Sequence, residues 1–294
     1  MPIIVRRIRV FQKMKISTMS LRLAALGFVA IYFQIIAIGP VASSGIPQTL
    51  TTPRETSQSD LAERIWEQGI AAKGGRDALH GVSTLVVLAR GDYRTRVLKR
   101  NTIRQEVLYV LPDKFWSWSD YRPDVFGLRI EMYNYERSTK YVISDGEPNR
   151  QLEPINEVDR KTRDLLWALV PYLPETKWLK PELVGAKAGR VGQQTVDIVE
   201  TTVKGKRVDI AFDRKTHLPI RISYYSTYKN KTYVTAIDLA DYVEVGGIKL
   251  PQTLRFDDGM QYQQSYKLNV GYKEDIFTKP THIDAGREAW KSQH

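Results

Sequence analysis

The feature that most constrains this chain is an alternation of apolar and polar residues with a period of two, which recurs between residues 83 and 272. It is clearest at 260–272, where Tyr262, Tyr266 and Leu268 occupy even positions and the odd positions are mostly polar. Such an alternation is typical of a half-buried antiparallel strand. The pattern predicts strands at about 84–94, 101–111, 114–121, 127–135, 139–145, 183–189, 193–203, 206–213, 218–228, 232–244, 247–257 and 260–272.

The links between these strands are short and rich in turn residues. Examples are Lys204-Gly205, residues 229–231 and the Asp-Asp-Gly sequence at 257–259. Links of this length join antiparallel neighbours as hairpins, so the strands are expected to form a meander. No strand–helix–strand unit repeats along the chain, which disfavours a parallel α/β fold.

Two segments are predicted to be helical. The first is 60–73, where Asp60 stands at capping-box spacing before Glu63. The second is 158–173, which has a bulky apolar side and is ended by prolines at 171 and 174. An apolar helix side must be buried, and a curved sheet is the large partner that this sequence offers. The predicted fold is therefore mainly β (α+β), a curved antiparallel sheet with helices packed on its concave side.

The amino-acid composition argues against several kinds of catalytic and metal-binding site. The 294 residues include no cysteine and four scattered histidines. A disulfide framework, a thiolate-bound metal and a thiol nucleophile are excluded, and a multi-histidine metal site is disfavoured. No G-x-S-x-G elbow, phosphate-binding loop or H-E-x-x-H motif is present. We therefore predict no catalytic residues, no metal and no cofactor, and a protein that is not an enzyme.

The N-terminal residues have the order of a secretory signal. Residues 1–44 contain six basic side chains and no acidic one, then an apolar run, then small residues that allow cleavage after Ser44. An uncleaved signal anchor is the alternative, although a membrane span usually needs ~20 apolar residues. The predicted organisation is a signal at 1–44, a flexible linker at 45–58, a folded domain at 59–280 and a tail at 281–294.

Export predicts a periplasmic location and argues against a nucleic-acid partner. The formal charge of the whole chain is +11, but it falls to about +5 once the basic signal is removed. A balance of that size is a poor argument for nucleic-acid binding.

Four stretches, in order along the chain, resemble a known bacterial family. They are AKGGRDAL at 72–79 with VSTL at 82–85; LVG at 183–185 through Gly205; FD at 212–213 with THLP at 216–219; and DY at 241–242, GIKLP at 247–251 and DIFTKP at 275–280. Together they resemble the LolA-like carriers that sort lipoproteins to the outer membrane, over about residues 60–280.

The resemblance implies an unclosed β-barrel whose apolar concave face shelters lipid or the acyl chains of a lipoprotein. It also implies membrane proteins of the envelope as donor or acceptor. Each buried methylene is worth about 0.8 kcal/mol, so apolar side chains are the candidates for such a site. The candidate cavity residues are Phe115, Trp116, Trp118, Ile130, Met132, Leu166, Trp167, Val170, Tyr262 and Tyr266.

Other interpretations of these residues stay open. Each candidate cavity residue could instead belong to the ordinary hydrophobic core, because aromatic residues commonly dominate cores. Trp116 and Trp118 share a strand face and could instead stack on sugar rings, as in a glycan-binding β module of the cell envelope. A non-catalytic protein-binding β module is also left open. A membrane-spanning barrel is compatible with many short strands, but the interrupting helices and the polar residues 291–294 disfavour it.

Overall fold

The computed structural model describes residues 57–93, 101–122, 128–134, 139–144, 150–151, 168–228 and 231–277. The predicted signal at 1–44, the linker up to residue 56 and the tail at 281–294 lie outside the described residues, so their boundaries stay predictions. Within the described ranges, no helix has the length and apolarity needed to cross a membrane.

In this part of the chain, thirteen strands form one sheet. Each of the predicted strands is confirmed, with ends that lie within two residues of the predicted ones everywhere except at residue 272. The alternation gave no signal for the two-residue strand β6. The strands are β1 (Thr84–Tyr93), β2 (Asn101–Val110), β3 (Lys114–Asp120), β4 (Leu128–Asn134), β5 (Thr139–Ser144), β6 (Arg150–Gln151), β7 (Glu182–Val191), β8 (Gln194–Val203), β9 (Lys206–Asp213), β10 (Pro219–Tyr228), β11 (Lys231–Val245), β12 (Ile248–Phe256) and β13 (Gln261–Leu268).

The sheet consists of two meanders, β1–β6 and β7–β13, which are joined where β1 pairs with β13. The order is β6-β5-β4-β3-β2-β1-β13-β12-β11-β10-β9-β8-β7. All neighbours are antiparallel, as the short links predict. Strands β6 and β7 are the two edges and do not pair with each other among the described residues. The fold is therefore mainly β and unclosed, which confirms the predicted fold class.

The first helix, α1 (Gln58–Lys73), starts two residues earlier than predicted. The Ser57 hydroxyl accepts a hydrogen bond from Asp60 N at 3.1 Å, and the Asp60 carboxylate accepts one from Ser57 N at 3.3 Å. The prediction that Asp60 is the N-cap is therefore wrong. Ser57 stands three residues upstream and caps the helix first, which makes Asp60 the third helical residue. Gly74 ends the helix with a φ of 125°, and α2 (Arg76–His80) follows.

One face of the sheet, which we call the inner face, carries α1. The helix packs against β7, β8 and β12. Trp66 meets Phe212 edge to face, with ring centroids 6.2 Å apart. A Cβ atom added at Gly69 would lie 2.3 Å from Cε1 of Phe212, so this glycine allows the close approach of helix and sheet. The buried side of α1 consists of Ala62, Ile65, Trp66, Gly69, Ile70 and Lys73.

Residues 168–181, which we call the connector, lead into β7. Of the predicted helix 158–173, residues 158–167 lie outside the described residues. Residues 168 and 169 are helical, and the chain turns from residue 170 onward. Pro171 explains the end of the helix, because proline has no backbone N–H and its ring clashes with the preceding turn. The buried apolar side chains of the connector are Ala168, Leu169, Val170, Tyr172, Leu173 and Leu179.

The opposite face, which we call the outer face, is covered near β1–β3 by the residues after β13. Strand β13 ends at Leu268, and Asn269 takes a φ of 52°. Val270 then packs with Trp116 in a buried cluster, and a 3-10 helix (Glu274–Phe277) completes the cover. The prediction that the last strand continues to 272 is therefore wrong, because Asn269 carries the chain across to the other face.

Candidate functional site

Four aromatic rings form a row on the inner face. Phe115 on β3 lies 5.4 Å from Tyr109 on β2, and Tyr109 lies 6.4 Å from Tyr172 of the connector (centroid distances). Tyr172 in turn lies 5.7 Å from Tyr266 on β13. Tyr109 and Phe115 are direct cross-strand partners, which places them on the same face. The connector therefore joins β2 and β13 across the inner face through edge-to-face and tilted contacts between aromatic rings.

Hydrogen bonds within this row fix the position of the connector on the inner face. Gln264 Nε2 donates to the Tyr172 hydroxyl at 3.1 Å, and the Tyr266 hydroxyl donates to Gln264 Oε1 at 2.8 Å. Burial raises the pKa of Tyr172 to about 12, so its hydroxyl keeps its proton at neutral pH. Buried polar groups need partners, and the bond between Gln264 and Tyr172 exists only when the connector is in place. The Tyr266 hydroxyl also has an acceptor on the sheet itself, at Pro251 O of β12.

A second polar cluster, the Glu175 latch, joins the connector to both helices. The buried carboxylate of Glu175 accepts hydrogen bonds from Trp66 Nε1 at 2.9 Å and from Arg76 Nε at 2.7 Å. His80 Nε2 lies 3.1 Å from the same carboxylate. Burial alone would raise the pKa of Glu175, but the hydrogen bonds from Arg76 and Trp66 outweigh it and hold the pKa below its usual value. The carboxylate of Glu175 therefore stays ionised at neutral pH.

Lys73, the last residue of α1, is fully buried and has no charged partner among the described residues. Its Nζ atom lies 5.3 Å from the centroid of the Tyr242 ring and makes no hydrogen bond within the described part of the chain. Burial lowers its pKa to about 7, because the charged ammonium is poorly solvated there. Lys73 is thus a titratable group inside the contact between α1 and the sheet.

The two tryptophans of β3 lie on the outer face. Trp116 pairs with Leu108, and Trp118 belongs to the same buried cluster as Val270 and Phe277. Trp116 is 0% exposed and Trp118 is 3% exposed. Neither ring is available to stack on a sugar, so the glycan interpretation loses the exposed platform that it requires.

The predicted cavity residues do not form one surface. Phe115, Tyr262 and Tyr266 lie on the inner face, and Val170 is buried in the connector. Trp116 and Trp118 lie on the outer face, because alternate residues of a strand point to opposite sides. Ile130 and Met132 are the cross-strand partners of Trp118 and Trp116 and so share their register positions. Leu166 and Trp167 lie outside the described residues.

Sequence reasoning missed the residues that hold the connector. Gln264 offered a signal, because it is the one polar residue at the even positions of an otherwise apolar strand face. A buried polar residue at such a position implies a partner, and Tyr172 is that partner. Glu175 offered no signal, since its partners are 99 and 109 residues away in the chain.

The described residues contain no group of three or more His, Cys, Asp or Glu side chains placed to hold a metal ion. What they do offer is an apolar, aromatic sheet face that is covered by one helix and one irregular segment. An arrangement of this kind can bind apolar groups, and it can do so without covalent chemistry.

Comparisons with known proteins find similarity at the level of structure. No protein-family model and no curated protein matches the chain. A domain ascribed to an outer membrane lipoprotein-sorting protein from Vibrio parahaemolyticus is similar, with a TM-score of 0.44 and 11% identity, over 74% of this chain and 97% of that domain. A LolA superfamily protein from Nitrosomonas europaea gives a TM-score of 0.45 and 13% identity, over 74% of this chain and 97% of its own length. Both likenesses concern the fold alone.

Proposed function

We propose that this protein is an exported carrier that binds lipid, or the acyl chains of a lipoprotein, on the inner face of its sheet. It would hand this cargo on within the cell envelope. The single observation that carries the proposal is the cover of the inner face. In place of a second sheet, a helix and an irregular connector shield the apolar lining.

The connector occupies the position that an acyl chain would take. Leu169, Val170 and Leu173 are each buried to within 1% of complete burial. An acyl chain that displaced these side chains would recover about 0.8 kcal/mol for each buried methylene. Exchange of one apolar occupant for another costs little free energy, and this is what a carrier needs in order to load and release cargo.

Two polar attachments set the closed position of the connector. The Tyr172–Gln264 hydrogen bond and the Glu175 latch lie at separate points along it. Each polar group can return to water when the connector leaves, so opening exposes groups that are readily solvated. The proposed cargo site therefore consists of Phe115, Tyr262 and Tyr266 with the connector withdrawn, and no catalytic group is required.

The test begins with what the protein carries when it is isolated. The full-length chain, with a C-terminal affinity tag, is expressed in a Gram-negative bacterium and purified from the periplasmic extract without detergent. Mass spectrometry of the organic extract should show phospholipid, or an acylated protein, in near-stoichiometric amount. The intact mass of the same sample reports whether the chain begins at Gly45, as cleavage after Ser44 predicts.

A matched pair of variants ties the result to the inner face. Tyr172→Ala removes the connector's own ring from the row and should speed the uptake of a fluorescent fatty acid. Tyr272→Ala removes a half-buried tyrosine from the outer face and should leave uptake unchanged. An empty protein that takes up no fatty acid in either form would refute the carrier proposal.

A further inference from the structure

A cleft between α1 and the edge of the sheet differs in character from the apolar inner face. It has a volume of about 520 Å³ and is lined by residues of α1, β7, β8 and the turn after β9. This volume lies within the range of ~300–1,000 Å³ that is usual for small-molecule sites. The lining residues are Leu61, Arg64, Ile65, Gln68, Lys187, Ala188, Asp197 and Arg214.

The helix side of the cleft is amphipathic because of its residue spacing. Leu61 and Ile65 are one turn apart, as are Arg64 and Gln68, so an apolar pair and a polar pair lie side by side. Ile65 is also part of the buried side of α1 against the sheet. The apolar part of the cleft therefore borders the region where helix and inner face meet.

The charged groups leave the cleft with an uncompensated positive charge. Arg214 donates to Asp197 from Nε at 2.9 Å and from Nη2 at 2.6 Å, which neutralises that carboxylate. Lys187 pairs with Glu200, which does not line the cleft. Arg64 is exposed and has no acidic partner within the described ranges. An anion that entered the cleft would meet the free guanidinium of Arg64 beside Lys187 and Arg214, whose charges are already paired with Glu200 and Asp197.

We propose that this cleft binds the anionic headgroup, a phosphate or a carboxylate, of an amphiphile whose apolar stem runs along Leu61 and Ile65. The inference rests on the proposed function, since it takes the cargo to be an amphiphile. Four strands separate β8 from β13, so the cleft is a headgroup site apart from the residues beneath the connector. Arginine suits this role because its planar guanidinium forms paired hydrogen bonds with phosphate and carboxylate oxygens.

The test compares three probes on the full-length protein by isothermal titration calorimetry, with both detergents below their critical micelle concentrations. Dodecyl phosphate has the charged group and the stem, dodecyl maltoside has the same stem with a neutral headgroup, and inorganic phosphate has the charge alone. Dodecyl phosphate should bind most tightly, and its affinity should fall as the NaCl concentration rises.

Variants of Arg64 test whether its guanidinium binds the anionic headgroup. Arg64→Gln should weaken the binding of dodecyl phosphate about fivefold to tenfold, and Arg64→Glu should weaken it further. Arg64→Lys keeps the charge but loses the paired hydrogen bonds, so it should weaken binding less than Arg64→Gln does, and dodecyl maltoside should be insensitive to all three changes. Arg90→Gln, an exposed arginine on β1, serves as the matched control and should bind all three probes as wild type does.

The outcomes separate this inference from the proposed function. Equal affinity for both detergents, unaffected by Arg64→Glu, would overturn the headgroup site and leave the carrier proposal standing. Binding of inorganic phosphate as tight as that of dodecyl phosphate, without any binding of dodecyl maltoside, would overturn both in favour of a site for free phosphate. No binding of any probe to protein freed of its co-purified lipid would also overturn both.

Discussion

Lys73 shows what one buried charge costs this fold. Its pKa of about 7 in the folded protein lies well below its ordinary value of 10.5. Between these two values the unfolded chain binds a proton that the folded chain does not, so stability rises with pH across this window. Below pH 7 both states are protonated and the full cost of burying the ammonium is present. The cation–π contact with Tyr242 offsets part of that cost.

Replacement of Lys73 by methionine should therefore stabilise the protein at neutral pH. Methionine keeps the length of the side chain and removes the charge. We expect the free energy of unfolding of Lys73→Met to exceed that of wild type at pH 7, and the difference to shrink by roughly 2–3 kcal/mol between pH 7 and pH 9, since each pH unit between the two pKa values is worth about 1.4 kcal/mol. Urea unfolding across this pH range measures it. A constant difference would show that Lys73 does not titrate as a buried group.

Gly69 illustrates the opposite case, in which the absence of a side chain stabilises a contact. Alanine favours helix over glycine by about 1 kcal/mol, yet a Cβ atom here would lie 2.3 Å from the Phe212 ring. We expect Gly69→Ala to destabilise the protein by about 2 kcal/mol through overpacking. Ala71→Gly, at an exposed position of the same helix, measures the propensity contribution alone. If Gly69→Ala were stabilising, the close packing of α1 on Phe212 would be wrong.

At the scale of elements, Arg76 forms two ion pairs of unequal strength, one with Glu175 of the connector and one with Glu67 of α1. Glu175 is buried and Glu67 is exposed, although both accept hydrogen bonds from Arg76. Loss of a buried charge leaves its donors unsatisfied and costs about 3 kcal/mol. An exposed ion pair contributes less than about 1 kcal/mol. The two glutamates thus form a matched pair within one cluster.

Glu175→Gln should consequently loosen the connector, whereas Glu67→Gln should not. Hydrogen exchange measures this at the amides of Leu173 and Thr176, which donate to Leu169 O and Leu179 O at 2.7 and 2.9 Å. In wild type the pKa of Glu175 is lowered, so the latch should persist at neutral pH and weaken only as the pH falls below the ordinary glutamate range. Equal protection of these amides in both variants would contradict a latch.

Prediction from sequence succeeded for the elements whose pattern is local. The strands were found because alternation and turn residues are encoded within each hairpin, and the meander follows from short links. Two boundaries failed for local reasons as well. Ser57 competes with Asp60 as the N-cap, and Asn269 ends β13 by adopting a left-handed conformation. Neither choice is visible in the hydrophobic pattern.

The candidate site was harder to predict because it depends on long-range placement. Parity within β3 correctly grouped Trp116 with Trp118, but it could not say which face of the sheet would be covered by helix and connector. The predicted cavity therefore mixed residues of both faces, and it grouped Phe115 of the inner face with Trp116 and Trp118 of the outer face. The contacts of Tyr172 and Glu175 join positions that are 92 to 109 residues apart, which no local pattern encodes.

At the scale of the whole described domain, the carrier proposal requires that the connector leave the inner face when cargo enters. The chain contains no cysteine, so two introduced cysteines would be its only thiols. Tyr172→Cys with Gln264→Cys places one thiol on the connector and one on β13, at positions whose native side chains touch. A reducible bis-maleimide linker can then fasten the connector to the sheet.

The linked protein should lose uptake of a fluorescent fatty acid, and reduction of the linker should restore it. The unlinked double variant is the reference, because it lacks the same native hydrogen bond. Arg90→Cys with Gln263→Cys is the matched control: these residues are cross-strand neighbours on β1 and β13, so a linker there joins two strands that need not separate. Uptake by the linked 172–264 protein at the rate of its reduced form would show that cargo enters without displacing the connector. The proposed cargo site would then have to lie elsewhere than beneath it.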